Sequence, residues 1–282
     1  MPPHAAIVIP ARDCASILED CLATISEQAR SLNVSVIVVD DGSTDDTSVV
    51  AASHGAQVIS KGHPVGPYVA RNLGWSASDA EVIVFTDARS RADEGWLASL
   101  LDAFEDEEVT VAGGPIRIPA GGTVAQRAAH LQQPLDPGTA DPFLPWFPGA
   151  NLAVRRTALE QLNGFEPSRG GGDVDLCWRA QVAGGRARYV AKASMWSAPR
   201  RRLRELLAQH HRYGANAARL DLRFAAHGRS ARPPTSLSRA ILGEARQGLS
   251  QLRSGQRDIP AVVAATLART WYLRGYANEV RR

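Results

Sequence analysis

Apolar residues in the first half of the chain fall into short unbroken runs, with stretches of helical periodicity between them. Ala6-Ile7-Val8-Ile9 ends at Pro10, Val34 to Val39 ends at Asp40, and Val82-Ile83-Val84-Phe85-Thr86 ends at Asp87. Gln57-Val58-Ile59 and Val109-Thr110-Val111-Ala112 are shorter runs of the same kind. Unbroken apolar runs rich in β-branched residues predict strands buried on both faces. Between them, Ile17 to Ala29 predicts an amphipathic helix with Leu18, Leu22 and Ile25 on one face. Further helices are predicted over Val49 to His54, Val69 to Ala77 and Trp96 to Phe104. Later the chain reads as a strand at Leu152-Ala153-Val154, a helix from Arg156 to Leu162, and a helix from Asp175 to Ala183 closed by Gly184-Gly185. After Pro199 the pattern is helical. Repeated strand–helix units predict an α/β fold, with a mostly parallel, doubly wound sheet flanked by helices and a C-terminal helical extension. The expected division is an α/β domain over 1–225 and a basic helical extension over 226–282. Pro134, Pro137, Pro142, Pro145 and Pro148 punctuate the stretch from Gln132 to Pro148, which predicts a long surface loop.

With 282 residues, 44% hydrophobic and 22% charged, the composition is that of a globular chain. No run approaches the ~18 to 20 apolar residues of a membrane span. Met1-Pro2-Pro3-His4 lacks the basic start and apolar core of a signal peptide, so a cytoplasmic location is expected. Cys14 and Cys21 are seven apart, about 10.5 Å along a helix, too far for a disulfide that needs Cα atoms within roughly 7 Å. With Cys177 they are expected to be small buried residues, and none has metal-site spacing.

The net charge of +3 hides an asymmetry. Residues 200–282 hold 17 Arg and 5 acids, against 15 basic and 24 acidic residues before them. Such a tail suggests a negatively charged partner. Leu237, Ile241, Ala245, Leu249 and Leu252 share one helical face, and Arg239, Arg246 and Arg253 another. A second helix is expected from Pro260, with Val262, Val263, Leu267, Trp271 and Leu273 as its apolar content. Two readings stand. The helices pack on the rest of the chain with Arg in solvent, or they touch an anionic membrane surface, which would make the protein peripheral at the inner face. Nucleic acid is not expected as a partner, because the tail lacks a groove-reading motif.

The candidate chemistry lies where strands end. Asp40 and Asp41 follow the second strand, Gly42-Ser43-Thr44 make a turn, and Asp45 or Asp46 can cap a helix from Thr47. Acids at the carboxyl ends of parallel strands stand where open α/β sheets bind ligands. Similar turns are Pro10-Ala11-Arg12-Asp13, Asp87-Ala88-Arg89, and Gly172-Asp173-Val174-Asp175, the last preceded by Gly149-Ala150-Asn151 and Gly164-Phe165-Glu166. There is no GxGxxG after the first strand and no GxxxxGK[ST], which argues against a dinucleotide-binding or P-loop protein.

The order of these turns resembles the family-2 glycosyltransferases, which have the GT-A fold. The similarity runs from about Ile7 to Tyr213. It implies an inverting transfer of a sugar from a nucleotide-diphosphate sugar, UDP- or GDP-linked, to an acceptor hydroxyl. Asp41 would bind the base, with Pro10 and Arg12 on the same pocket. Arg71, in Ala70-Arg71-Asn72 at a helix start, would face phosphate oxygens, although a surface ion pair is the plainer reading of one Arg. Where the family has Asp-x-Asp for a divalent ion, Mg²⁺ or Mn²⁺, this chain has Asp87-Ala88-Arg89, and Arg cannot ligate a metal. Three readings stand: Asp87 holds the ion with water and phosphate, Arg89 replaces the ion, or the donor site is degraded. Where the family has Glu-Asp, Gly172 precedes Asp173. Asp173 is the expected general base and Asp175 the second candidate; a first-turn acid that favours the helix dipole is the alternative for Asp175. Gly170-Gly171-Gly172 suggests a loop that closes on substrate. Gln209-His210-His211-Arg212-Tyr213 resembles the family's QxxRW, which puts Arg212 on the donor diphosphate and Tyr213 on the acceptor; a plain amphipathic helix is the alternative. Adjacent His residues point about 100° apart on a helix, so the pair is not expected to share a metal. Asn151 and Trp178 are further candidates for acceptor contact. A rival function is a disabled GT-A protein that binds nucleotide sugar in a regulatory or scaffold role.

Overall fold

The computed structural model describes residues 4–132, 143–167, 170–229, 237–254 and 256–281. The described residues fall into two units. One takes those of 1–117, 135–168 and 172–197, the other those of 118–134, 169–171 and 198–282.

The first unit begins β1 (Ala5–Ala11), α1 (Ala15–Ser31), β2 (Ser35–Asp40), α2 (Thr47–Ser53), β3 (Gln57–Ser60), α3 (Pro67–Ser76) and β4 (Val82–Thr86). It continues with β5 (Ser90–Ala92), α4 (Trp96–Asp102), β6 (Val109–Gly113) and β7 (Ile116–Arg117). Helix α5 (Val124–Gln132) belongs to the second unit, and the chain returns with β8 (Asn151–Arg155), α6 (Arg156–Leu162), α7 (Gly172–Val182), β9 (Arg186–Tyr189) and β10 (Met195–Ser197). Seven strands form one sheet in the order β3-β2-β1-β4-β8-β6-β9, and β5-β10-β7 form a small second sheet. In the large sheet every pairing is parallel except those of β8, which runs antiparallel to both β4 and β6.

Side chains on a strand alternate between faces, and here both faces are covered. Ile7, Ile9, Val38 and Val84 point into a core with Leu18, Leu22 and Trp96 from α1 and α4. Val8, Ile37, Val39, Ile83 and Phe85 point into a second core with Leu159, Phe165 and Leu176. This is why the strands read as unbroken apolar runs. Each such side chain, fully withdrawn from water, contributes roughly 1.5–3 kcal/mol. Cys21 and Cys177 are buried and Cys14 is half-buried, all three as free thiols.

The order β3-β2-β1-β4 places the reversal of winding between β1 and β4. The turns that carry Arg12, Asp41 and Asp87 leave the carboxyl ends of β1, β2 and β4, where a crevice opens in such sheets. Antiparallel β8 pairs Asn151 with Thr86, so its lead-in residue Gly149 reaches the same edge.

The second unit holds α5, α8 (Leu203–Arg223), α9 (Leu237–Arg253) and α10 (Ile259–Val280). Its core is alanine-rich: Ala125, Ala128, Ala129, Ala264, Ala265 and Ala268 pack with Ile118 and Leu206. Small residues let α8 and α10 cross closely, and a Cβ on Gly214 or Gly275 would overlap the backbone of the other helix. As expected, α10 starts at a proline-marked turn, with Asp258 accepting from the Ala261 amide at 3.1 Å. Of the stretch expected as a proline-rich loop, 133–142 lie outside the described residues, Gln132 ends α5, and Pro145 and Pro148 lie in irregular chain. Gly172 is the first residue of α7, three residues before the expected helix start. Among the described residues, no helix is long and apolar enough to cross a membrane.

His210 lies buried on α8. Burial first, and the neighbouring Arg269 guanidinium second, push its pKa down from 6.5 to about 4. The folded chain therefore keeps a neutral imidazole where the unfolded chain takes up a proton. Stability is full above pH 6.5 and is lost as pH falls towards 4, by about 3 kcal/mol in all. Urea midpoints measured across this window are expected to fall steeply in the wild type and less so in His210→Gln. Parallel curves for the two proteins would show that His210 does not carry the effect.

Candidate active site

The turns after β1 and β2 are bonded to each other. The Asp13 amide donates to Ser43 Oγ at 3.0 Å, and Asp13 Oδ1 accepts from the Thr44 amide at 2.8 Å and its hydroxyl at 3.1 Å. Asp45 serves two helix starts: Oδ2 accepts from the Ala15 amide of α1 at 3.1 Å, and Oδ1 from the Thr47 amide of α2 at 3.1 Å. The Thr47 hydroxyl bond, then the Ala15 amide, lower the pKa of Asp45. Asp40 is buried, accepting from the Ser43 amide at 2.8 Å and from the Ser48 hydroxyl. Both acids after β2 thus have internal partners. The Asp41 carboxylate accepts from the amides of Val65 at 2.5 Å and Gly66 at 3.0 Å, which shapes the entry to α3. Pro10 is half-buried, and Arg12 is exposed with Asp13 3.5 Å away.

Helix α3 carries Arg71 into the protein at 4% exposure. Its Nη2 meets Asp87 Oδ1 at 2.5 Å and the Gly149 carbonyl at 3.3 Å, and its guanidinium lies over the rings of Tyr68 and Phe165 at 5.4 and 5.9 Å. Arg71 Nε is buried without a hydrogen-bond partner. Gly149 continues the connection, donating its amide to Asp173 Oδ2 at 2.8 Å. Asp173 Oδ1 accepts from the Tyr68 hydroxyl at 3.1 Å and the Val174 amide at 3.1 Å. One network therefore runs Asp87–Arg71–Gly149–Asp173–Tyr68, joining the turn after β4 to the first turn of α7. Among the described residues Asp173 Oδ2 has one bonded donor, so a lone pair remains to take a proton. Burial, then the Asp173 charge, raise the pKa of Tyr68 well above 10, so its hydroxyl stays a donor. A Cβ on Gly172 would meet the Tyr68 ring at 2.9 Å. The glycine in place of the expected glutamate leaves room for that ring.

Other expected residues lie elsewhere. Asn151, expected to contact an acceptor, has no exposed surface; Oδ1 accepts from Trp96 Nε1 at 2.8 Å and Nδ2 donates to the carbonyls of Ala193 at 2.8 Å and Pro115 at 3.2 Å. With both N–H donors and its carbonyl oxygen engaged, it ties β8 to the framework. Trp178, the other acceptor candidate on the first unit, is 2% exposed and donates Nε1 to the Leu144 carbonyl at 2.9 Å. Asp175 is buried and holds Arg179 Nε at 2.7 Å, while Arg179 closes the carbonyls of Leu162 and Gly164, each at 2.8 Å. All three side chains are thus buried and bonded within the first unit. Arg212 and Tyr213 lie on α8 in the second unit, where Gln209 Nε2 donates to the Tyr213 hydroxyl at 2.8 Å. Tyr68 was not singled out from the sequence. Its one signal was an aromatic residue three positions before Arg71 at a helix start.

The Asp-Ala-Arg turn offers a divalent ion one carboxylate, where the resemblance to the family leads one to expect two. Asp87 is the one acid of the Asp-Ala-Arg turn, and Arg71 already occupies its Oδ1. Among the described residues no three His, Cys, Asp or Glu side chains are grouped to hold a metal.

Comparison with known proteins bears on family and fold. The sequence model of Glycosyl transferase family 2 matches residues 6–162. The pre-mycofactocin glycosyltransferase of Mycobacterium tuberculosis is 36% identical over 228 residues, 77% of this chain and 47% of that protein. The chain thus spans about half the length of that relative. Glycosyltransferase AglE of Haloferax volcanii is 26% identical over 227 residues, 75% of this chain and 72% of its own length. Among solved structures, the mannosyltransferase PcManGT from Pyrobaculum calidifontis, in complex with GDP-Man and Mn²⁺, superposes with a TM-score of 0.64 at 19% identity, over 100% of this chain and 88% of its own. Glucosyl-3-phosphoglycerate synthase from M. tuberculosis, with Mn²⁺, UDP and phosphoglyceric acid, gives 0.57 at 24% identity, over 76% and 77%. At these identities the two structures speak for the fold, a GT-A fold. The family model covers more than half of the chain, including β1, β2, β4 and the turns after them, and the chain belongs to Glycosyl transferase family 2.

Proposed function

We propose that this chain is an inverting glycosyltransferase. It moves a sugar from a nucleoside-diphosphate donor, UDP- or GDP-linked, to an acceptor hydroxyl, with Asp173 as general base. The observation that carries this reading is the Asp173 carboxylate, fixed by Gly149 and Tyr68 at one end of a network whose other end is Asp87 and Arg71. Inversion requires a base near the acceptor and positive charge near the leaving group, on opposite sides of the anomeric carbon. The acceptor oxygen attacks that carbon, its proton passes to Asp173 Oδ2, and the bond to the diphosphate breaks. Pro10, Arg12 and Asp41 border the nucleoside end, at the turns after β1 and β2.

The network also speaks against a disabled, purely binding protein. Asp173 is held in a defined orientation, and Tyr68 fills the space beside Gly172. Oriented general bases contribute about 10²–10⁴-fold to rate. Asp173→Asn is expected to lower kcat by about 10³-fold while leaving the affinity for UDP or GDP within about twofold. Tyr68→Phe is expected to lower kcat less, by about tenfold, because Asp173 keeps the Gly149 amide. Steady-state transfer or donor hydrolysis, with calorimetric binding in parallel, checks both. An Asp173→Asn enzyme that turns over at near wild-type rate removes Asp173 from the mechanism.

The exposed face of helix α9 supports a membrane contact for this protein. Leu242 and Leu249 are 53% and 56% exposed, and Arg239, Arg246 and Arg253 are exposed beside them. The buried face of α9 instead carries Gly248, and Glu244 pairs with Arg269 of α10 at 2.6 Å. A helix with leucines outward and arginines alongside suits the interface of an anionic bilayer. The protein is expected to float with phosphatidylglycerol vesicles and not with phosphatidylcholine vesicles, and Leu242→Glu with Leu249→Glu is expected to abolish flotation. Equal behaviour with both lipids would remove the contact.

A further inference from the structure

We propose that the Arg89 guanidinium takes the place of a divalent ion, so that this chain holds and releases the donor diphosphate without metal. The inference rests on the glycosyltransferase reading above and deepens it. Hard cations need oxygen ligands, and the second acid that would supply them is absent. The remaining acid is already matched: Arg71 Nη2 lies 2.5 Å from Asp87 Oδ1. A dication on Asp87 would have to share that carboxylate with one guanidinium and lie close in sequence to a second. Both repel it.

The charges balance without an ion. An aspartate at position 89 together with a divalent ion would present one net positive charge to the phosphates. Arg89 alone presents the same net charge, in a fork of donors that fits phosphate oxygens. Arg89 is half-buried, two residues after Asp87. It follows β4, whose parallel neighbour β1 ends at the same edge of the sheet in the turn that carries Arg12. Arg71 adds a third cation to this edge, with its Nε buried and unpartnered. The reaction balances on these groups. The acceptor oxygen forms the new bond to the anomeric carbon and gives its proton to Asp173. The electron pair of the broken bond goes to a diphosphate oxygen, whose charge is met by guanidinium N–H donors.

The test is calorimetric titration of UDP and of GDP into the full chain, in EDTA and in Mn²⁺, with donor-sugar hydrolysis measured under the same conditions. Wild type is expected to bind one of the two nucleotides with the same Kd in EDTA and in Mn²⁺, and to hydrolyse its donor sugar in EDTA. Arg89→Ala is expected to weaken that binding at least tenfold, as for loss of a charge-assisted hydrogen bond, and Arg89→Lys to fall between. Arg89→Asp, which restores the second acid, is expected to bind only when Mn²⁺ is present. Melting curves of each variant check that it folds. Wild-type binding that needs Mn²⁺, or an Arg89→Ala protein that binds as well as wild type, overturns the inference and leaves the glycosyltransferase reading standing. If neither nucleotide binds in either condition, the glycosyltransferase reading fails along with it.

Discussion

Folding takes nearly all of the Arg71 side chain out of water. A guanidinium in that position is tolerated only when anionic and carbonyl oxygens are brought to it, and removing one partner leaves an uncompensated charge. Much of the first unit's chemical edge follows from this requirement. Asp87 must leave β4 pointing towards α3, and β8 must run antiparallel to β4 so that the Gly149 carbonyl arrives beside it. Tyr68 and Phe165 provide ring faces against the cation, an arrangement worth more as water is excluded. Gly149 then links Arg71 to Asp173, because its amide donates to the carboxylate while its carbonyl, in the following peptide unit, receives the guanidinium.

In the proposed reaction the two ends of this network have opposite electrostatic tasks. At Asp173 a carboxylate would take up a proton, and its partners are neutral donors, Tyr68 and two amides. At Asp87 the carboxylate is neutralised, and the neighbouring residue that could have been a metal ligand is a permanent cation. Separating base and cation along a rigid hydrogen-bonded line keeps them from pairing with each other. That separation is what an in-line displacement needs.

Strand placement was legible in the sequence because β1, β2 and β4 are covered on both faces and so lack polar interruptions. The antiparallel course of β8 was not, because Asn151 to Arg155 has the same apolar content that a parallel strand would have. Edge strand β9, Arg-Ala-Arg-Tyr, carries no apolar run, since one of its sides faces no neighbour and its residues are largely exposed. The turns bearing Asp41, Asp87 and Asp173 were identifiable by residue type and order. What residue type could not show was burial. Asn151, Trp178 and Asp175 stand beside the site in sequence, yet each is buried and bonds a partner in the framework. Tyr68 was invisible for the converse reason: an aromatic residue at a helix start carries no mark of the carboxylate it will meet more than a hundred residues later.

The lacing of the turns after β1 and β2 bears on affinity. Ser43 and Thr44 are tied to Asp13, and Asp45 is shared between the starts of α1 and α2. Loops that flank a ligand usually lose conformational freedom when it arrives, and that loss is subtracted from the contact energy. Here the two segments beside Arg12 and Asp41 have lost that freedom on folding. On the proposed donor site, a nucleoside would meet a surface already set, so little of its contact energy would go to ordering these two turns.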